Sequence, residues 1–218
     1  MAVKMFSDGD LIKDAWGKTL QKLLILIGSY VLAMLTIFVP ALILMWIGGK
    51  LEAVGLFALL TFIYYVVSMA LVGVGMTRIF LAVADGKDVS IMELWTNWDK
   101  FLNYLAVTIL YMLIVVGGFF LLIFPGYIWM TKFYLAPFYV ADKNMGPIEA
   151  LKLSSQTTMG LKWDVFAFLM VIGTVMQLGF LALFVGALVT IPMGLVACAG
   201  LYRTLAGSAP AKPMKAAA

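Results

Sequence analysis

The chain has 218 residues, of which 64% are hydrophobic and 12% charged, and its formal net charge is +4. Soluble domains carry about 25% charged residues, so the composition excludes an ordinary soluble domain and predicts an all-α, polytopic membrane protein. There is no histidine and a single cysteine, Cys198. The chain therefore lacks the commonest general base, and neither an intrachain disulfide nor a cysteine-based metal cluster can form.

Six apolar stretches alternate with polar segments along the chain. About 20 apolar residues in a helix cross a bilayer, and residues 1–22 lack the apolar core of a cleavable signal peptide, so none is expected. The predicted spans are residues 23–47, 53–84, 101–124 and 127–141, followed by two within 165–202 that meet at a tight turn around Gly186.

Prolines modify this plan. The fourth stretch is short, so we expect its helix to begin near Leu121, with Pro125 inside its first turns. We expect three further prolines to kink the helices that contain them: Pro40, Pro137 and Pro192.

Three segments repeat one pattern. Residues 76–82 are Met-Thr-Arg-Ile-Phe-Leu-Ala, residues 130–136 are Met-Thr-Lys-Phe-Tyr-Leu-Ala, and residues 201–207 form a fainter copy. Each copy closes an apolar stretch, and internal repetition of this kind indicates repeated architecture. The predicted fold is a single membrane domain, residues 1–206, made of three hairpin repeats at about 7–84, 89–142 and 147–206. A mobile tail, 207–218, is expected after it.

A short polar segment precedes each hairpin. Ser7 begins a capping-box-like sequence, residues 89–95 combine Glu93 with apolar side chains, and Pro147 stands at the first position of a predicted helix. Segments with charge on one side and large apolar groups on the other lie in the headgroup layer. The pattern predicts three interfacial helices; the alternative is that these are ordinary connecting loops.

Basic residues predict the orientation. With six spans, Lys50 lies on one side of the membrane and the other fourteen basic residues lie on the opposite side. The positive-inside rule then places both termini in the cytoplasm. The fourteen are Lys4, Lys13, Lys18, Lys22, Arg78, Lys87, Lys100, Lys132, Lys143, Lys152, Lys162, Arg203, Lys212 and Lys215.

Residues 124–129, Phe-Pro-Gly-Tyr-Ile-Trp, together with residues 134–142 and 146–154, resemble a widespread group of bacterial six-helix inner-membrane proteins. Residues 191–205 resemble the last span of that group. One relative is the membrane domain fused to some glycerophosphodiester phosphodiesterases. The resemblance implies a bacterial inner-membrane location and six helices. It implies no catalytic residue, and the phosphodiesterase activity of the fused domain is not carried over.

No charged residue lies near the middle of a predicted span, which disfavours a proton-coupled pump. Gln177 is the polar residue most costly to expose to lipid, so we expect it to face another helix. Polar span residues such as Gln177 either line a pathway or form interhelical hydrogen bonds.

Small residues predict close helix packing. Ala182 with Gly186, and Gly194 with Cys198, are pairs spaced four residues apart, which lets helices approach closely. The contact lies either within one chain or between protomers. In this setting Cys198 is expected to pack rather than to act as a nucleophile.

Arg78, Lys132 and Arg203 occupy equivalent places in the three copies. They form either a ring that contacts anionic lipid headgroups, with Tyr134 and Tyr202 as hydroxyl donors, or independent cations whose long side chains reach the interface separately.

The sequence favours a non-enzymatic membrane protein, an accessory or scaffold component of a membrane assembly. The alternative is a small transporter, channel or lipid-handling protein, and a membrane enzyme is the least favoured reading. The expected partners are membrane lipids and either further copies of the chain or another membrane protein complex. No cofactor, metal or nucleic acid is expected.

Overall fold

The computed structural model describes residues 7–121, 123–181 and 186–208. Helices account for 88% of the structure, and the described residues contain no strand, as the sequence predicts. A short 3₁₀ helix, Ile91–Leu94, lies between α3 and α4. The α-helices are α1 (Asp8–Gln21), α2 (Leu23–Lys50), α3 (Val54–Ala84), α4 (Trp98–Leu121), α5 (Ile123–Phe133), α6 (Ala136–Lys143), α7 (Pro147–Thr157), α8 (Lys162–Leu181) and α9 (Ala187–Ser208).

Five of these helices are long and apolar enough to cross a membrane, judged by length and composition: α2, α3, α4, α8 and α9. Helix α9 lies at the centre of the molecule, because 56% of its most apolar window is buried, against 28% or less in the other four. It packs against α1, α3 and α8. The remaining long helices therefore expose most of their apolar surface at the periphery.

The first predicted polar segment forms α1. Ser7 caps the helix, and its hydroxyl accepts a hydrogen bond from the backbone N–H of Asp10. Ala15 and Thr19 are buried, and the helix packs against α9. Trp16 and Leu20 lie on the exposed surface. The predicted capped helix is confirmed, and one side of it belongs to the protein core.

The second polar segment differs from the prediction. Residues 91–94 form one 3₁₀ turn rather than an amphipathic α-helix, and the hydroxyl of Ser90 caps it. Leu94 is buried. A methyl group at Gly75 of α3 would lie 2.6 Å from both the Glu93 carbonyl and the Leu94 Cα. The segment is short because it packs tightly against α3 instead of extending along the surface.

The fourth predicted span begins as expected but does not continue as one helix. Helix α5 starts at Ile123, with Pro125 in its first turn. It ends at Phe133, and α6 begins at Ala136 with Pro137 in its first turn. A proline ring clashes with the carbonyl four residues earlier, here that of Phe133, and proline has no N–H to donate. Pro137 was predicted to kink a helix, whereas it separates two. Pro40 and Pro192 lie inside the continuous helices α2 and α9.

Side chains of α7 satisfy the backbone groups freed at this break. The Ser154 hydroxyl accepts from the Leu135 N–H at 3.2 Å and donates to the Lys132 carbonyl at 2.9 Å. The Thr158 hydroxyl also lies 3.2 Å from the Lys132 carbonyl. Ser154, Thr158 and Leu135 are buried. The third polar segment, which begins at Pro147 as predicted, therefore supports an interrupted helix.

Candidate functional site

Three helix ends meet at a group of charged side chains, here called the Arg203 junction and formed by Asp85, Asp142, Tyr202 and Arg203. Asp85 follows the last residue of α3, Asp142 lies in the last turn of α6, and the other two lie on α9. The Arg203 guanidinium donates from Nε and Nη2 to the two carboxylate oxygens of Asp85, at 2.7 and 2.9 Å. Its Nη1 donates to Asp142 at 2.8 Å.

The fourth member, Tyr202, completes the set of contacts around Asp142. Its hydroxyl donates to the Asp142 carboxylate at 2.9 Å, and its ring meets that of Tyr139 edge-on at 4.9 Å between centroids. Tyr202 is fully buried. One guanidinium thus binds two carboxylates from different segments, and its bidentate pair with Asp85 is geometrically specific.

Electrostatics keeps Asp85 ionised. Partial burial by itself would raise the pKa of Asp85, but hydrogen bonds and charge from Lys87 and Arg203 outweigh this and hold the pKa below its ordinary value. Lys87 contacts the same carboxylate at 3.0 Å. The carboxylate of Asp85 is therefore held between two cations, Arg203 and Lys87.

Two lysines bind backbone carbonyls beside the junction. Lys18 of α1 donates to the Ala84 carbonyl at 2.7 Å, and Lys100 of α4 donates to the Ala141 carbonyl at 2.9 Å. Ala84 and Ala141 directly precede Asp85 and Asp142. A cation at the last carbonyls of a helix is favourable because the helix dipole is negative there. Equivalent positions of the first two repeats thus receive equivalent lysine contacts.

The three cations singled out by the repeat do not share one environment. Arg203 is held by the two aspartates of the junction. Arg78 pairs with Glu93 through Nε at 2.8 Å. The Lys132 ammonium lies 5.1 Å from the centre of the Phe133 ring. Because both arginines bind carboxylates of the protein, the structure provides no ring of three free cations among the residues it describes.

The two tyrosines have internal roles. The Tyr202 hydroxyl gives its proton to Asp142 inside the protein, which corrects the expectation that it contacts a headgroup. Tyr134 packs against Phe138, with 5.9 Å between ring centroids. Both side chains bind α6 or α9 rather than marking a surface site.

The structure places three of the four small residues that were predicted to pack helices together in different environments. Gly194 lies where a methyl group would meet Met176 and Ile172 of α8, so the contact is within the chain. Cys198 is buried, as expected of a packing residue. Gly186 directly precedes α9, and its carbonyl accepts from the N–H groups of Val189 and Thr190 in the first turn of that helix. Ala182 lies outside the described residues, as does the predicted tail from residue 209 onward.

Gln177 faces no other helix among the residues that the structure describes. The buried side of α8 carries Val165, Phe168, Ile172 and Gly179. Gln177 is exposed, as is Thr174 one turn earlier. That side of α8 has no neighbouring helix among the described residues, so the expectation that Gln177 faces another helix stays a prediction.

A groove lies between α5 and α8, with a volume of about 420 Å³. Its walls are mostly aromatic, and two of the lining rings, Tyr127 and Phe166, are in edge-on contact at 5.5 Å between centroids. Lys162 and Thr131 are its polar neighbours. Helix α5 contributes Phe124, Tyr127, Ile128 and Thr131, and α8 contributes Lys162, Trp163 and Phe166.

Sequence reasoning missed the partners of these cations. It did not assign Asp85, Asp142, Glu93, Lys18 or Lys100 to any contact. The signal was available for two of them, because Asp85 and Asp142 both follow a Val-Ala pair at the end of a repeat copy. No sequence pattern identified the groove, since its aromatic residues are typical of any membrane helix.

These helices define the class: a multi-pass helical membrane protein, indicated by five candidate spans. No protein-family model, curated protein or solved structure matches the chain. The resemblance to bacterial six-helix inner-membrane proteins therefore stays a prediction that rests on the residues that suggested it.

Proposed function

We propose that the chain is a non-enzymatic accessory or scaffold component of a membrane assembly. The observation that carries this proposal is the exposed amide of Gln177 on an apolar helix. A polar side chain that faces lipid without a partner is costly, and polar residues on membrane helices commonly form hydrogen bonds to a neighbouring helix. Gln177 is thus the natural contact for a second copy of the chain or another membrane protein.

The surroundings of Gln177 support the same role. Thr174 lies three residues earlier on the same side of α8, and its hydroxyl donates to the Met170 carbonyl, which leaves the oxygen able to accept. Gln177 and Thr174 thus form a polar stripe on an exposed apolar surface. The charged junction, in contrast, is satisfied inside the chain and offers no comparable contact.

The assembly role predicts a defined mass for the purified protein. Wild type, solubilised gently from membranes, should run as an oligomer or with a stoichiometric membrane protein in native mass spectrometry. Gln177→Leu should raise the fraction of monomer, because leucine cannot form an interhelical hydrogen bond and each such bond contributes about 0.6 kcal/mol, or about threefold in a dissociation constant. Met170→Leu changes another exposed residue of α8 and is the matched control. A wild-type monomer with no protein partner would contradict the role, and so would an unchanged assembly in Gln177→Leu.

We also propose six spans in a bacterial inner membrane, with α5 and α6 together forming the fourth, both termini in the cytoplasm, and α1 and α7 at the interface. The basic residues support this orientation. The ends of the three repeats converge at the Arg203 junction, which supports an arrangement of three hairpins. Cysteines at Gly49 and Gly207, tested in a Cys198→Ala background, decide the orientation. Both glycines are exposed with open space around them. Labelling of both from the same side would contradict the topology.

Lipid handling is the second candidate function. The groove between α5 and α8 supports it, because it is a mostly aromatic space next to a lysine. No feature of the described residues gives comparable support to a transporter or channel with a pathway through the protein.

A further inference from the structure

The groove between α5 and α8 has the size and shape of a binding site. Its volume of about 420 Å³ falls within the range of about 300–1,000 Å³ found for small-molecule sites. Phe124 and Thr131 mark its extent along α5, a rise of about 10 Å. Tyr127 and Phe166 face one another between these ends. An extended apolar chain fits such a space better than a compact polar molecule does.

Polar and interfacial groups gather at one end of the groove. Lys162 is the first residue of α8 and Trp163 the second, and both line the space together with Thr131. The Trp163 side chain is 69% exposed, and its ring meets Phe166 edge-on at 6.0 Å. Tryptophan and lysine at one helix end mark the headgroup level of a bilayer. The apolar remainder of the groove then extends toward the acyl region.

Lys162 is available to a ligand. The residues that the structure describes form no ion pair with its ammonium, whereas Arg78 and Arg203 are bound to carboxylates. Asp164, in the same turn of α8, is not a lining residue of the groove. Lys132, which the repeat pattern favoured, is not one either. The free charge beside the groove is therefore that of Lys162.

We propose that this groove binds an anionic glycerophospholipid of the surrounding leaflet, with one acyl chain along Tyr127 and Phe166 and the phosphate at Lys162. Charge complementarity selects the headgroup, and the aromatic walls accept the chain. The site requires only that the chain lies in a membrane, and it is independent of the proposed assembly through Gln177. It is compatible with a scaffold that carries a bound lipid.

Competitive lipid retention tests the site. Purified protein is equilibrated with mixed micelles that contain phosphatidylglycerol and phosphatidylcholine with identical chains, and retained lipids are counted by native mass spectrometry. Wild type should prefer phosphatidylglycerol, and Lys162→Gln should reduce that preference about fivefold, as expected for one cation near an anionic group. Lys152→Gln removes an exposed lysine of α7 away from the groove and should leave the preference unchanged.

Two further measurements distinguish lipid binding in the groove from attraction to charge on the protein surface. Ile128→Trp fills the groove and leaves Lys162 in place, so it should reduce retention of both lipids. Added inorganic phosphate should not displace the retained phosphatidylglycerol. An unchanged preference in Lys162→Gln would overturn the proposal, and so would an equal loss in Lys152→Gln or displacement by phosphate. Because Lys162 lies at a helix end near the surface, its substitution tests the site even if Ile128→Trp does not fold.

Discussion

Arg203 binds both carboxylate oxygens of Asp85, at 2.7 and 2.9 Å, and so joins the end of α3 to α9. Asp142 of α6 binds the same guanidinium at 2.8 Å. Asp85 and Asp142, which follow the first two repeat copies along the chain, thus share Arg203 of the third copy. This pairing fixes the ends of α3 and α6 against α9.

Asp85→Asn should destabilise the folded protein by about 1–3 kcal/mol, because the amide places an N–H donor against the donors of Arg203 and removes a charge-assisted bond. Thermal unfolding in detergent at pH 7 measures the loss. Asp88→Asn is the control, since Asp88 is fully exposed and its ion pair among the described residues is with Lys22; it should unfold close to wild type. Equal unfolding temperatures for all three proteins would refute the structural role of the junction.

The junction also predicts a dependence on pH. Because the folded protein holds the pKa of Asp85 below its ordinary value, which is about 3.9, the stabilisation is complete above that pH. As the pH falls below that value, the unfolded chain binds the proton before the folded protein does, so the stabilisation decreases. The decrease is complete once the Asp85 carboxyl of the folded protein is also protonated. The unfolding temperature of wild type should therefore fall more steeply below about pH 4 than that of Asp85→Asn. Parallel curves for the two proteins would exclude this contribution.

Ser154→Ala should destabilise the break between α5 and α6. The substitution leaves the buried Leu135 N–H without its acceptor and removes one donor from the Lys132 carbonyl. An unsatisfied buried polar group costs about 1–3 kcal/mol, which thermal unfolding and hydrogen exchange at Leu135 would both register. Ser155→Ala, at the half-buried neighbouring position, is the matched control. Slow exchange at Leu135 in both variants would contradict the capping role.

Gly75→Ala should disrupt the packing of the 3₁₀ turn on α3. Its methyl group would lie 2.6 Å from the Glu93 carbonyl and from the Leu94 Cα, so backbone must move, and overpacking of this kind costs about 1–3 kcal/mol. Gly55→Ala in the same helix meets open space and should gain up to about 1 kcal/mol from helix propensity. Opposite changes in unfolding temperature are expected. A gain in both variants would show that the turn is not tightly held.

Local features were predicted where one segment of sequence decides them. Ser7 caps α1, Pro125 lies in the first turn of α5, and Pro147 begins α7. Each of these depends on backbone chemistry within a few residues: a side-chain acceptor for free N–H groups, or a proline where no N–H is needed. The candidate site was predicted less completely, because the partners of Arg203 lie far from it along the chain.

The sequence by itself determined that this is an apolar, helical chain with two Met-Thr-cation segments, a fainter third copy, and basic residues that predict one orientation. The tertiary structure decided that Pro137 separates α5 from α6, that Asp85 and Asp142 share Arg203, and that Gln177 is exposed. The physical reason is that a membrane helix is apolar on every side, because lipid and protein interior are both apolar environments. Hydropathy therefore does not mark which side packs, and only the positions of the neighbouring helices do.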